Sequence, residues 1–334
     1  MRYRLLSQYR PELMGIAMLW VMYFHAYDMD IPNQFLYFLR SAGFGGVDMF
    51  ILLSTMGLSM SLQRREQDYA GFMARRAWRI LPAYYVVMFP YTLFLIATQD
   101  APWSALVFNA LLLYYWMSSA GRFNWYVAGA MTFYAITPPC LRALQRSRRR
   151  ERFTAVAVVL TFALGRLLVR EGYWYVMDIF FRLPLFFLGL LVGLYVAQDR
   201  KLEWKDYAFW LFWLALGACY LVGVVHTDQD VFPIPLCHLF LFTTVPMCLV
   251  IAWLFDHLPL GWLRRALRLV GENSLEIYLL NVSFFSQFAF IRQFVHLPDD
   301  HRLYHLVMTL ATIALGWLLH RCVAWAKARL RPQL

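Results

Sequence analysis

The chain has 334 residues, of which 61% are hydrophobic, 18% aromatic and only 15% charged, and its mean hydropathy is +0.50. Charged residues make up about a quarter of an ordinary soluble domain, so this composition excludes a water-soluble globular fold and points to a polytopic integral membrane protein. The net charge is +11, and all but three of the 31 basic residues are arginine; in a membrane protein that excess belongs on cytoplasmic loops, so it does not indicate nucleic-acid binding.

Eleven apolar segments follow one another, near 12–28, 43–62, 80–98, 103–118, 124–141, 153–170, 176–197, 207–225, 236–255, 273–291 and 303–323. They are long enough for helices rather than barrel strands. The first ends in His-Ala-Tyr-Asp rather than a small-residue cleavage site, so it is expected to be retained. With no internal repeat, linker or appended soluble stretch, the expectation is one all-α membrane domain over residues 1–334.

The basic loops are the N-terminus, Arg64 to Arg79, Arg142 to Arg152, Arg200 to Lys205, Arg264 to Arg268 and the tail from Arg321. The loops around Asp28, Asp100, Asp228 and Asp299 are acidic or mixed. If every basic loop is cytoplasmic, the three segments between Arg79 and Arg142 break the parity, so one of them should not cross. This predicts ten full crossings, both termini cytoplasmic, and a re-entrant or broken segment between 103 and 141. Irregular backbone at membrane depth must line a cavity or be buried in protein, so the same region is expected to hold the active chamber. The five cysteines lie in apolar segments without metal-ligand spacing, which reads as small core hydrophobes and no metal site.

His25 is the first chemical signal. It sits at the end of an apolar run, about 22 Å along a helix from Arg10, and an imidazole titrates close enough to neutral pH to take a proton from a hydroxyl. Asp48 enters the second span after a glycine-rich stretch; a carboxylate there needs a partner, and a His25–Asp48 hydrogen bond would orient the ring. Arg75, Arg76 and Arg79 open the third span. Residues three apart share a helix face, so Arg76 and Arg79 point together, and the arginine fork suits phosphate. Pro82 and Tyr84 add a kink and an aromatic wall. The run from Arg142 to Arg152 reads as a solvated loop near anionic headgroups. Arg182 lies one turn from Asp178, the spacing of an ion pair. Glu276 and Asn281 project into the membrane after Asn273-Ser274, and Glu276 should face the bundle interior. The remaining histidines, His238 and His320 among them, fall near span ends and read as interfacial.

In order, the chain carries His25, then Gly46-Val47-Asp48-Met49-Phe50 with Ser54, then Arg75-Arg76-x-x-Arg79-Ile80-Leu81-Pro82. Next come Trp125-Tyr126 with Phe133-Tyr134, Arg182-Leu183-Pro184 with Gly189, and Gly271-x-x-Ser274 with Tyr278-Leu279. This order and spacing resembles the acyltransferase 3 family of bacterial membrane O-acyltransferases, over about residues 9 to 320. The resemblance implies a protein of the bacterial inner membrane that moves an acyl group, usually acetyl from acetyl-CoA as co-substrate, to a hydroxyl of a cell-surface or exported glycan or another acceptor. It maps the family histidine onto His25 and the basic pair onto Arg76 and Arg79. Two positions depart from the pattern: Met14 stands where the family usually has arginine, and Ala130 where it often has glutamate. Glu12 and Glu276 are the residues expected to supply the missing polarity.

The resulting expectation places His25, Asp48 and Glu276 in catalysis, with His25 held by Asp48 or Glu276, and Arg75, Arg76, Arg79 and Tyr84 against the donor. Trp125, Arg182 and Asn281 are set against the acceptor. The expected partners are that acceptor and membrane lipid. The residues leave open a homo-oligomer, a transporter or flippase for a lipid-linked sugar, and a relative that has lost catalysis.

Overall fold

The computed structural model describes residues 1–27, 29–64, 68–117, 125–226, 238–285 and 301–330. Asp28, Asp228, Asp230, Asp299, Asp300 and Cys237 lie outside them. The described residues are helical throughout, with no named strand. After a short turn, α1 (Leu5–Gln8), come α2 (Arg10–Phe24), α3 (Gln34–Ser41), α4 (Gly45–Arg64), α5 (Tyr69–Gln99), α6 (Ser104–Ala110), α7 (Tyr114–Met117), α8 (Trp125–Arg146) and α9 (Arg150–Arg170). Then follow α10 (Met177–Phe180), α11 (Leu183–Ala197), α12 (Trp204–His226), α13 (Leu239–His257), α14 (Gly261–Glu272), α15 (Ser274–Leu280), a π-helical turn (Asn281–Phe285) and α16 (His301–Arg329).

Seven of these helical stretches are long and apolar enough to cross a membrane. They correspond to seven of the eleven apolar segments. Of the other four, the described helices are shorter or more polar. The first is only the 15-residue α2, which ends at Phe24 with His25 as its C-cap. The segment at 103–118 is broken into α6 and α7, with Leu112 between them at φ 59°, so the break expected between 103 and 141 falls here. By contrast α8 runs unbroken through Pro138 and Pro139. Proline 139 cannot donate to the carbonyl of Ala135; the Tyr69 hydroxyl does so instead, at 3.2 Å.

The centre of the bundle is α4 against α11. Both are buried over most of their length. Apolar side chains gain little by leaving lipid for protein, so close packing must hold membrane helices together. Gly189 and Gly193 supply it: a Cβ at either would collide with Thr55 or Ser59 of α4. In the same way Gly271 lets α14 approach the backbone of α2 at Pro11. The helices α9, α12 and α16 are the periphery, with under a fifth of their apolar stretch buried, as a lipid-facing surface requires.

The N-terminal residues are tied to the loop after α11. The Arg2 guanidinium pairs with Asp199, Leu202 donates to the Met1 carbonyl at 2.9 Å, and Trp210 Nε1 donates to the Tyr3 hydroxyl at 2.9 Å. Of the four described cysteines, all free, only Cys248 is buried; Cys219 and Cys322 are on the surface, so the reading of all as core residues fails for these two. His238, expected at an interface, is buried against the rings of Phe162 and Phe181.

Candidate functional site

A cavity of about 540 Å³ opens between α2, α4, α5, α8, α15 and α16. On α4 its lining runs from Val47 to Ser61, about 21 Å at 1.5 Å per residue. One end is strongly basic. Arg76 and Arg79 both line it, as the spacing on one helix face predicts. The Arg76 guanidinium lies over the rings of Phe72 and Tyr134, at 5.3 and 5.8 Å, and reaches toward Ser61 Oγ at 3.5 Å. Lys327 of α16 closes this end, its Nζ donating to the Arg79 carbonyl at 3.2 Å.

Arg10 joins them, a residue that the sequence reading used only as a marker of the helix start. Its side chain lines the cavity beside Met14, and its Nε is buried without a hydrogen-bond partner. Gly57 makes the room: a Cβ there would stand 2.9 Å from the Arg10 guanidinium. The signal available in the sequence was the spacing of Arg10 and Met14, one helical turn apart on the same face. Arg75 faces a second, adjoining space of about 580 Å³ that Arg10, Arg64 and Arg76 also line. Five guanidiniums, those of Arg10, Arg64, Arg75, Arg76 and Arg79, therefore line these two adjoining spaces, suited to a ligand with several phosphates.

The expected aromatic wall at Tyr84 is not part of this cavity. Its hydroxyl donates to the Asn109 carbonyl at 2.9 Å, and that of Tyr85 to Ala110 at 3.0 Å. Both pin α6, whose carbonyls at the helix end need donors. The walls are instead Tyr126 and Tyr134 of α8 and Tyr278 of α15. Thus α8 does line the chamber, whereas the described residues of α6 and α7 do not.

His25 lies beyond the other end. Its Nδ1 is 2.5 Å from Asn281 Oδ1. That amide oxygen only accepts, so Nδ1 carries the proton and Nε2 keeps its lone pair. Asn281 opens the π-helical turn, the kind of helix irregularity often found at functional sites. Asn281 replaces both partners expected for His25. Asp48 is instead 3.5 Å from Arg182 Nε, both side chains being about 4% exposed. Arg182 also donates to the Asp178 carbonyl at 2.8 Å and lies 4.9 Å over the Trp125 ring. Buried Asp48 and Arg182, with the half-buried Trp125, thus form a compact cluster that does not line the cavity. Glu276 lines the cavity and meets His320 Nδ1 at 3.1 Å. Glu12, expected to supply polarity near Met14, turns away: its Oε1 accepts from Arg268 at 2.6 and 3.1 Å. That hydrogen bond and the carboxylate charge raise the Arg268 guanidinium above its usual range.

His25 itself does not line the arginine-lined cavity. Gly46, beside the lining residue Val47, faces Ala17 of α2; His25 is about 12 Å further along that helix. The rings of Tyr126 and Tyr278 lie 5.0 Å apart in the cavity wall, and Tyr278 is one turn before Asn281. The loop after His25 is fixed by Arg40, whose Nη1 donates to the carbonyls of Ala26, Tyr27 and Met29 at 3.0–3.1 Å. The sequence carried no signal for this contact.

Among the described residues no cluster of histidine, cysteine, aspartate or glutamate could hold a metal ion. No curated protein and no solved structure matches the chain. A family model described as an acyltransferase domain matches residues 13–321, taking in every candidate residue above except Arg10, Glu12 and Lys327. The chain is a multi-pass membrane protein of the acyltransferase 3 family.

Proposed function

We propose that the protein is an O-acyltransferase of the bacterial inner membrane that moves an acyl group, acetyl in the simplest case, from acyl-CoA to a hydroxyl of a cell-surface or exported glycan. The observation that carries this reading is the convergence of Arg10, Arg76 and Arg79 on one end of a cavity about 21 Å long. A thioester carried on a phosphate-rich handle fits such a cavity. The phosphates meet the guanidiniums at the cytoplasmic end, and the thin arm extends along α4 past Ser54 toward Tyr126 and Tyr278. In this scheme both termini are cytoplasmic, and the acceptor approaches from the opposite side.

His25 then acts as the general base. With Nδ1 held by Asn281, Nε2 takes the proton of the acceptor hydroxyl as its oxygen bonds to the carbonyl carbon, and the thiolate leaves. Direct attack is preferred because, among the described residues, the side chain hydrogen-bonded to this imidazole is Asn281 and not a serine or cysteine. The thioester runs past Tyr126 and Tyr278 of the cavity wall to reach it. The Asp48–Arg182–Trp125 cluster would shape the acceptor side.

Two measurements test this reading. Purified protein should bind CoA, and surface glycans from cells with the gene should carry acetyl groups that are missing without it, as read by mass spectrometry. Protein that binds no CoA, together with identical glycans, would reject it.

A further inference from the structure

Two titratable side chains meet in the middle of the arginine-lined cavity. His320 Nδ1 on α16 is 3.1 Å from Glu276 Oε1 on α15, and both residues line the cavity. Glu276 is buried, whereas His320 keeps 45% of its side-chain surface accessible. A carboxylate only accepts, so Nδ1 carries a proton and Nε2 is the free nitrogen. Of the described residues lining this cavity, His320 is the one histidine.

The pair also stands at an intermediate depth. Glu276 precedes Asn281, the partner of His25, by about 8 Å along the helix. His320 lies about 10 Å along α16 from Lys327, which bonds the Arg79 carbonyl. The imidazole and carboxylate therefore sit between the basic end and the His25 end. Ionisable groups at such depth are costly unless they have a task.

We propose that His320, held by Glu276, is a second acid–base group of the reaction and protonates the departing thiolate. This rests on the acyl-thioester reading above. The steps balance when His320 starts as the imidazolium, protonated at both nitrogens: the acceptor oxygen bonds to the carbonyl carbon, its proton passes to His25 Nε2, the C–S bond breaks with its electron pair on sulfur, and sulfur takes the Nε2 proton of His320, leaving that ring neutral with Nδ1–H still bonded to Glu276. The products are the ester and the free thiol. His320 regains a proton from water at the basic end, and His25 returns its own to water at the other. A thiolate left charged in a cavity of limited water is costly, and an imidazolium is the stronger acid than an alkyl thiol by about two pKa units, so the transfer runs downhill.

The test uses the purified full-length protein with acetyl-CoA, water serving as surrogate acceptor, and free thiol as the readout. His320→Ala should lower kcat by about 100-fold, the usual span of a lost acid–base group, while KM for acetyl-CoA stays within about threefold. Added 4-methylimidazole should restore about a tenth or more of that loss, a recovery that an unfolded variant cannot show. The alkaline fall in the wild-type rate should be missing from the variant, and Glu276→Gln should give a smaller loss of kcat. Wild-type kcat in His320→Ala, or a loss without imidazole rescue and with the alkaline fall intact, overturns the assignment of His320 alone. Wild-type protein that neither binds CoA nor releases thiol overturns the acyl-thioester reading itself.

Discussion

The imidazole of His25 is oriented by an amide, not a carboxylate: Nδ1 lies 2.5 Å from Asn281 Oδ1, across 256 positions of sequence. A carboxylate partner would stabilise the imidazolium that forms when a base takes a proton, whereas an amide chiefly selects the tautomer and the ring direction. Asn281→Ala should therefore lower kcat for acyl transfer by about 10-fold, near 1.4 kcal/mol, with little change in KM for the donor. His25→Ala should remove acyl transfer by 100-fold or more, roughly the contribution of a general base, while the protein still inserts. Steady-state kinetics on purified variants separates the two; undiminished transfer by His25→Ala would end the base assignment.

Arg10, Arg76 and Arg79 converge on one space although they come from α2 and α5. Each charge-assisted hydrogen bond to a phosphate contributes about 1.5–3 kcal/mol. Arg10→Ala or Arg76→Ala should raise the apparent KM for acyl-CoA by about 10- to 100-fold and leave kcat within a few fold. Gly57→Val should mimic Arg10→Ala, because the added methyls occupy the space of that guanidinium. Titration calorimetry with CoA gives the same ranking independently, and equal affinity across the series would dismiss the clamp.

Asp48 and Arg182 are each about 4% exposed and 3.5 Å apart. Removing one member of a buried pair leaves an uncompensated charge and costs about 3–5 kcal/mol, whereas replacing both by apolar residues is often neutral. Asp48→Leu alone should thus unfold well below the wild type in detergent, and Asp48→Leu with Arg182→Met should recover most of the loss. A double variant no better than the single one would show that the pair does not act as a unit.

Arg40 fastens three carbonyls directly after His25. Such a contact restricts the end of α2 without touching the cavity. Arg40→Gln should lower kcat by about 10-fold through misplacement of His25, while CoA affinity is unchanged. Proteolysis near residues 26–29 should become faster in the same variant. A loss of CoA affinity instead would point to a general defect of folding.

The apolar segments already marked the membrane class and the order of motifs the family, and of the expected site residues Arg76, Arg79 and Glu276 do line the cavity. A run such as 183–197 can satisfy its backbone in lipid only as a helix, and the Arg76–Arg79 spacing dictates a shared face whatever surrounds it. These are local consequences of chemistry and helix geometry. The choice of partners is different in kind. His25 had Asp48 and Glu276 as plausible neighbours in sequence logic, yet Asp48 meets Arg182, Glu276 meets His320 and Asn281 meets His25. Likewise Tyr84, read as a wall of the donor site, pins α6. Tyr126, Tyr134 and Tyr278 form the cavity wall instead.

The sequence by itself determined that the chain is helical and membrane-embedded, that a histidine ends its first apolar segment, and that arginines open the third. Tertiary structure alone decided which polar groups meet, because that depends on the rotation and depth of helices far apart in the chain. Those are set by close contacts such as Gly189 with Thr55 and Gly271 with Pro11, which no single segment encodes. Burial then forces each polar group to take whichever partner that packing brings within reach.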